Sequence, residues 1–189
     1  MELFEAIAKR YSYRGAYLPR PVPEADLRKI VQAGLAAPSG KNLQTTRFIV
    51  ITDPEKLDLV KAVFAGQPFI TTAQAFIAAF YDLEKQAASE YPYTFEVEDA
   101  AAAIENILPA ITALGYASVW LDGVLRNERR AERIGAIVGL PPSQRLRILL
   151  PVGAPAEEGP RKQKQAFDER AWFNTYTCSG DYGHLSRSV

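Results

Sequence analysis

One cysteine, one histidine and no net charge: this chain of 189 residues is short of three things, and each scarcity closes off a class of function. Cys178 alone cannot close a disulfide within the chain, and its small, polar setting is a poor one for a catalytic thiol. His184 alone cannot supply a histidine-based triad or a histidine-rich metal site. Twenty-two basic residues balance twenty-two acidic ones, so no bulk field draws the chain to nucleic acid or to an anionic membrane. No apolar run approaches a membrane span. No glycine cluster has the spacing of a P-loop or a dinucleotide fingerprint. The start, Met-Glu-Leu-Phe-Glu-Ala, lacks the basic residues and apolar stretch of a secretory signal, so a reducing cytoplasm is the expected setting.

What is present is the mix of a globular protein, 48% hydrophobic and 23% charged. The length suits one domain. The reading is a single α+β domain over residues 1–176, followed by a small, polar tail over 177–189. Residues 2–9 are expected to form a short helix with Leu3, Phe4, Ile7 and Ala8 on one face. A second helix is expected over 23–37, closed by Pro38. Strands are expected at 47–52, 73–81, 116–121 and 147–152. Asp53 and Pro54 read as the cap and first position of another helix. The longest helical pattern, 97–115, carries a broad apolar stripe and is interrupted by Pro109, where a kink is expected. Arg126 to Gly139 reads as a charged surface helix, with Asp99 and Glu105 on a solvated face of the helix before it. Residues 83–96 read as an excursion over the core.

The most telling stretch is Arg10-Tyr11-Ser12-Tyr13-Arg14. In extended backbone, alternate residues point to the same side. Arg10, Ser12 and Arg14 therefore converge, and Tyr11 and Tyr13 face away. Two planar guanidinium forks and a hydroxyl suit a phosphate. The stretch is either such an anion grip or a plain basic surface segment. One helix later comes Ala37-Pro38-Ser39-Gly40-Lys41-Asn42-Leu43-Gln44. It is turn chemistry leading into a strand, and its two amides can both donate and accept. That pairing suits the edge of a heteroaromatic ring.

Together the two segments resemble the FMN-dependent nitroreductase family. The resemblance continues through the alanine-rich helix ending at Gly115, the turn Trp120-Leu121-Asp122-Gly123, and the basic pair Lys162 and Lys164. It implies a nitroreductase-like fold: a central mixed or antiparallel sheet flanked by helices, in an obligate homodimer with FMN at the subunit interface. By the same resemblance, Arg10 and Ser12 meet the phosphate and ribityl end, and Arg14 the pyrimidine side. Pro38, Ser39, Gly40 and Asn42 reach the flavin from the partner subunit. Gln67 reads the pyrimidine edge, a backbone N–H at Asp122-Gly123 approaches N5, and Lys162 and Lys164 complete the phosphate site.

The implied activity is ping-pong electron transfer from NAD(P)H through FMN to an electron-poor acceptor such as a nitroaromatic or quinone. No catalytic side chain is required, because the flavin carries the chemistry. Arg14, Asp122 and Gly123 tune it. Two alternatives stay open: a flavin reductase or dehydrogenase for one metabolite, and a non-catalytic flavin-binding sensor. The chain departs from the family where Thr45-Thr46 replaces the usual Pro-Trp. Its 83–96 excursion is also short. There Tyr91, Tyr93 and Phe95 are either a stacking surface for an aromatic substrate or ordinary packing.

Overall fold

A computed structural model describes residues 1–64, 66–87 and 94–176. The tail after 176, with Cys178 and His184, lies outside them, as do Tyr91 and Tyr93. Four strands form the sheet: β1 (Thr46–Ile51), β2 (Ala75–Asp82), β3 (Ala117–Ser118) and β4 (Gln144–Gly153). They lie in the order β1-β2-β4-β3, and every neighbouring pair is antiparallel. The antiparallel form of the expected sheet is therefore the one adopted.

Helices cover both faces. They are α1 (Leu3–Lys9), α2 (Glu24–Leu35), α3 (Pro54–Ala62), α4 (Pro68–Thr71), α5 (Leu83–Ala87), α6 (Glu96–Ala113), α7 (Arg130–Ile137) and α8 (Phe167–Arg170). Ala75, Ile77 and Ala79 of β2 pack with Ile104, Ile107 and Ile111 of α6. Phe76 and Ala78 pack on the other face with Val60, Phe69 and Ile134. A strand covered on both sides has no polar face, which is why β2 is buried along its whole length. Each fully buried isoleucine of α6 contributes about 1.5–3 kcal/mol by leaving water.

Local signals placed several elements as expected. The Asp53 side chain accepts the Lys56 N–H at 3.0 Å and starts α3, with Pro54 in its first turn. Other expectations need correction. The strand expected over 116–121 shortens to Ala117–Ser118, with Leu121 making a single bridge to Leu149. The helix expected from Arg126 is a 3₁₀ turn at Gly123–Arg126 and then α7, because Glu128 and Arg129 take left-handed backbone between them. Arg130 is not on an exposed face. It donates to the carbonyls of Val63 and Val124 and lies over the Phe64 ring. α6 continues as one helix with Pro109 inside it. On α1, only Ala6 is buried; Leu3, Phe4 and Ile7 face outward in the single chain.

Candidate functional site

Residues 10–14 are extended, as their alternation requires. Ser12 makes a parallel bridge with Ser118, and the Tyr13 N–H donates to the Ser118 carbonyl at 2.9 Å. The segment thus runs along β3, at the free edge of the sheet. Tyr13 is fully buried, whereas Ser12 and Arg14 are exposed. Tyr11, Tyr13 and Tyr17 form an aromatic column, with ring centroids 6.2 and 5.2 Å apart. Burial, then the neighbouring Tyr13, pushes the Tyr17 phenol far above its ordinary range. The column is a support for the backbone that carries the arginines.

The C-terminal segment runs beside that support. Leu18 donates to the Ala154 carbonyl and Ala156 to the Ala16 carbonyl. The Gly159 N–H donates to the Tyr11 hydroxyl at 2.9 Å, and the Arg161 guanidinium lies 5.2 Å from the Tyr11 ring centroid. Arg161 is thereby held against Tyr11, in the same segment as Arg10 and Arg14. Among the described residues, Arg10, Arg14, Arg161, Lys162 and Lys164 have no ion pair with a carboxylate. Gln67 lies on another element. It precedes α4, whose following residue Thr72 accepts the Tyr17 N–H at 2.8 Å.

The Pro38–Gln44 loop is elsewhere. It leads into β1, the opposite edge of the sheet, and is tied to the first turn of α6. The Gly40 N–H donates to Asp99 Oδ1 at 2.7 Å, and the Thr45 hydroxyl to Asp99 Oδ2 at 3.3 Å. Asp99 is 5% exposed, which overturns its reading as a solvated residue. Its signal was its spacing, since Asp99, Ala103, Ile107 and Ile111 form one buried stripe. Thr45, one of the two threonines replacing Pro-Trp, supplies a hydroxyl to that carboxylate. Lys41, Asn42 and Gln44 all have positive φ. Gln44 holds the turn by donating its amide to Asn42 Oδ1 and its N–H to Ser39 Oγ, both at 3.1 Å. A Cβ on Gly40 would sit 2.2 Å from the Phe95 ring. Glycine is needed here for close approach.

The two predicted halves do not meet in one chain. Ser12 lies beyond β3 at the Ala75 end of β2, while Thr46 pairs with Tyr81 at its other end. Four strand spacings of about 4.8 Å and six residues at about 3.4 Å each put them roughly 28 Å apart. The helix says the same. Asp99 and Ala113 are fourteen residues apart on α6, about 21 Å at 1.5 Å per residue.

The Asp122-Gly123 turn lies past β3. Asp122 accepts from Arg126 and Arg147 at 3.2 and 3.1 Å. Gly123 opens the 3₁₀ turn, where a first-turn N–H has no acceptor within the helix. Arg147 and Asp99 were not among the sequence candidates.

A model of the nitroreductase family matches residues 7–84 and 58–154. The chain belongs to the nitroreductase family. An Archaeoglobus fulgidus protein, provisionally named NADH dehydrogenase/NAD(P)H nitroreductase, is 35% identical over 83% of this chain and 87% of its own length. An FMN-dependent nitroreductase from Clostridium difficile has the same fold at TM-score 0.75 and 27% identity, covering 92% of this chain and 99% of its own. A protein from Desulfovibrio desulfuricans, provisionally named a nitroreductase and solved in complex with FMN, superposes at TM-score 0.77 and 27% identity, covering 94% of this chain and 99% of its own. Among the described residues of this member, no helix is long and apolar enough to cross a membrane, and no acidic, cysteine or histidine cluster could hold a metal.

Proposed function

We propose that this nitroreductase-family protein is a homodimeric, cytoplasmic, FMN-dependent NAD(P)H oxidoreductase whose acceptor is an electron-poor small molecule such as a nitroaromatic or a quinone. The observation that carries the reading is the contact of Arg161 with Tyr11, which joins the segment of Arg10 and Arg14 to the one that bears Lys162 and Lys164, all five cations being without carboxylate partners among the described residues. A flavin phosphate is a dianion and offsets such cations. Ser12 adds a hydroxyl beside it. Arg14 would place positive charge at the pyrimidine side of the ring, and Gln67 an amide at its edge. The Asp122-Gly123 turn would offer a backbone donor at N5. When bound, FMN supplies the redox chemistry, taking a hydride from NAD(P)H and passing electrons on to the acceptor.

The roughly 28 Å between the two halves supports a dimer. Pro38, Ser39, Gly40 and Asn42 cannot serve the flavin held by their own chain's arginines, but a second copy's loop can. The outward-facing Leu3, Phe4 and Ile7 of α1 support it too, being 65%, 85% and 47% exposed in the single chain. Apolar side chains so grouped mark an interaction surface.

The test begins with the absorbance spectrum of the purified protein and titration of the FMN-free form. Yellow protein that takes up one FMN per chain and oxidises NADH or NADPH with a quinone is expected. Colourless protein that takes up no FMN ends the reading. Protein that binds FMN but oxidises neither nicotinamide is a flavin-binding module rather than a reductase.

A further inference from the structure

β4 holds one residue more than β2 can pair. Ala79 faces Ile148 and Phe80 faces Leu146, which leaves Arg147 as the extra residue of a β-bulge. Leu146 and Leu149 pack on one face of the sheet, and Ile148 and Leu150 on the other. Arg147 joins neither core. A bulge re-aims a side chain in this way at the cost of one ladder pairing. Its guanidinium reaches Asp122, Nη1 to Oδ1 at 3.1 Å, with both side chains only about one-fifth exposed. The two stand on the wall of a cavity of about 700 Å³.

Arg126 grips the same carboxylate, Nε to Oδ1 at 3.2 Å and Nη2 to Oδ2 at 3.3 Å. It is largely exposed, so solvent screens that pair, and Arg147 is the stronger anchor. The turn needs an anchor. Asp122 has φ −131° and ψ −65°, outside the helical and strand regions. The next residue, Gly123, has open space where a Cβ would stand. The turn therefore presents bare backbone, and the direction of its N–H depends on what holds Asp122.

We propose that Arg147 is a positioning residue: through the Asp122 carboxylate it fixes the direction of the Gly123 N–H, and with it the hydrogen bond that tunes the flavin ring. This rests on the reading above, in which the Asp122-Gly123 turn meets the flavin. Two measurements test it: the midpoint potential of the FMN-loaded protein, and amide hydrogen exchange at Gly123 with and without FMN. Arg147→Ala is expected to change the ratio of affinities for reduced and oxidised FMN about tenfold, read as a shift of about 30 mV for a two-electron couple. Gly123 exchange in the FMN-free protein is expected to rise at least tenfold. Arg147→Lys, which keeps the charge but loses the planar fork, is expected to recover part of both effects. A merely structural role would lower the unfolding temperature and leave the potential alone. Should Arg147→Ala not fold, Asp122→Asn takes its place in the same two measurements, and the same shifts are expected of it.

The failures separate. If FMN does not slow Gly123 exchange in the unaltered protein, the reading of the turn falls whatever Arg147 does. If FMN protects Gly123 equally in Arg147→Ala, with unchanged potential, this inference falls and the reading stands.

Discussion

Asp99→Ala tests the tether between the Pro38–Gln44 loop and α6. The mutation removes the acceptor of the Gly40 N–H, bonded at 2.7 Å, and of the buried Thr45 hydroxyl at 3.3 Å. A hydrogen bond to a charged group contributes about 1.5–3 kcal/mol, and an orphaned buried hydroxyl costs about 1–3 kcal/mol more. The Thr45 bond is long, so a total of about 3 kcal/mol is the reasonable expectation. For a chain of this length that lowers the unfolding temperature by about 6–12 °C. The loop should also lose its shape. Lys41, Asn42 and Gln44 hold left-handed backbone, which costs an ordinary residue about 1–2 kcal/mol each. Released from Asp99, they relax, and Asn42 leaves its position. FMN affinity is then expected to fall at least tenfold. Asp99→Asn keeps an acceptor for Gly40 and should lose about 1 kcal/mol, the scale of one neutral hydrogen bond. Calorimetry of the FMN-free protein and a fluorescence titration with FMN read the two effects. An unfolding temperature within about 2 °C of the parent would refute the energetic argument. A lowered temperature with unchanged FMN affinity would refute the link from Asp99 to the loop.

Three further predictions concern other parts of the chain. If Arg14 holds the pyrimidine side as proposed, Arg14→Ala should weaken FMN binding or lower the flavin potential; equal affinity and equal potential would remove Arg14 from the proposed site. Gly40→Ala drives a Cβ into the Phe95 ring, so a loss of about 1–3 kcal/mol is expected in thermal unfolding, relieved by Phe95→Ala in the same chain. Asp82 is held below the usual carboxylate range, first by the Lys85 N–H, then by the Gln144 amide and by Arg47. A carboxylate lowered on folding stabilises the fold above its unfolded value, near about pH 4, and loses that contribution as pH falls through the lower folded value. Urea titrations of the parent and Asp82→Asn should differ near neutral pH and converge in acid; an equal gap at both ends would sink the assignment.

Features that depend on neighbours in sequence were legible. The Asp53 cap, the alternation through Arg10, Ser12 and Arg14, and the apolar stripe of α6 all follow from period and propensity. What was not legible depended on distant partners. The 3.6 period groups Leu3, Phe4 and Ile7 on one face of α1 but does not say whether that face is covered. Asp99 looked like a surface acid because nothing local announces that Gly40 and Thr45 reach it from fifty-odd residues away. The break before α7 rests on Glu128 and Arg129 in left-handed backbone, without the glycine or proline that would have marked it. The bulge at Arg147 is a matter of register between two strands, and register is written in neither strand alone. The family motifs marked out two candidate segments, and the sheet order puts them at opposite corners.

That diagonal placement has a genetic consequence. In the proposed dimer each flavin is held by the arginines of one chain and the Asn42 loop of the other, so a lesion does not stay with the chain that carries it. A chain bearing Arg10→Ala spoils the site it holds but lends a sound loop to its partner. A chain bearing Asn42→Ala does the reverse. In a mixed dimer of the two, both lesions fall on one site and the other is intact. Two alleles that are each inactive alone can therefore restore one working flavin site when expressed together, whereas two alleles damaged in the same half cannot.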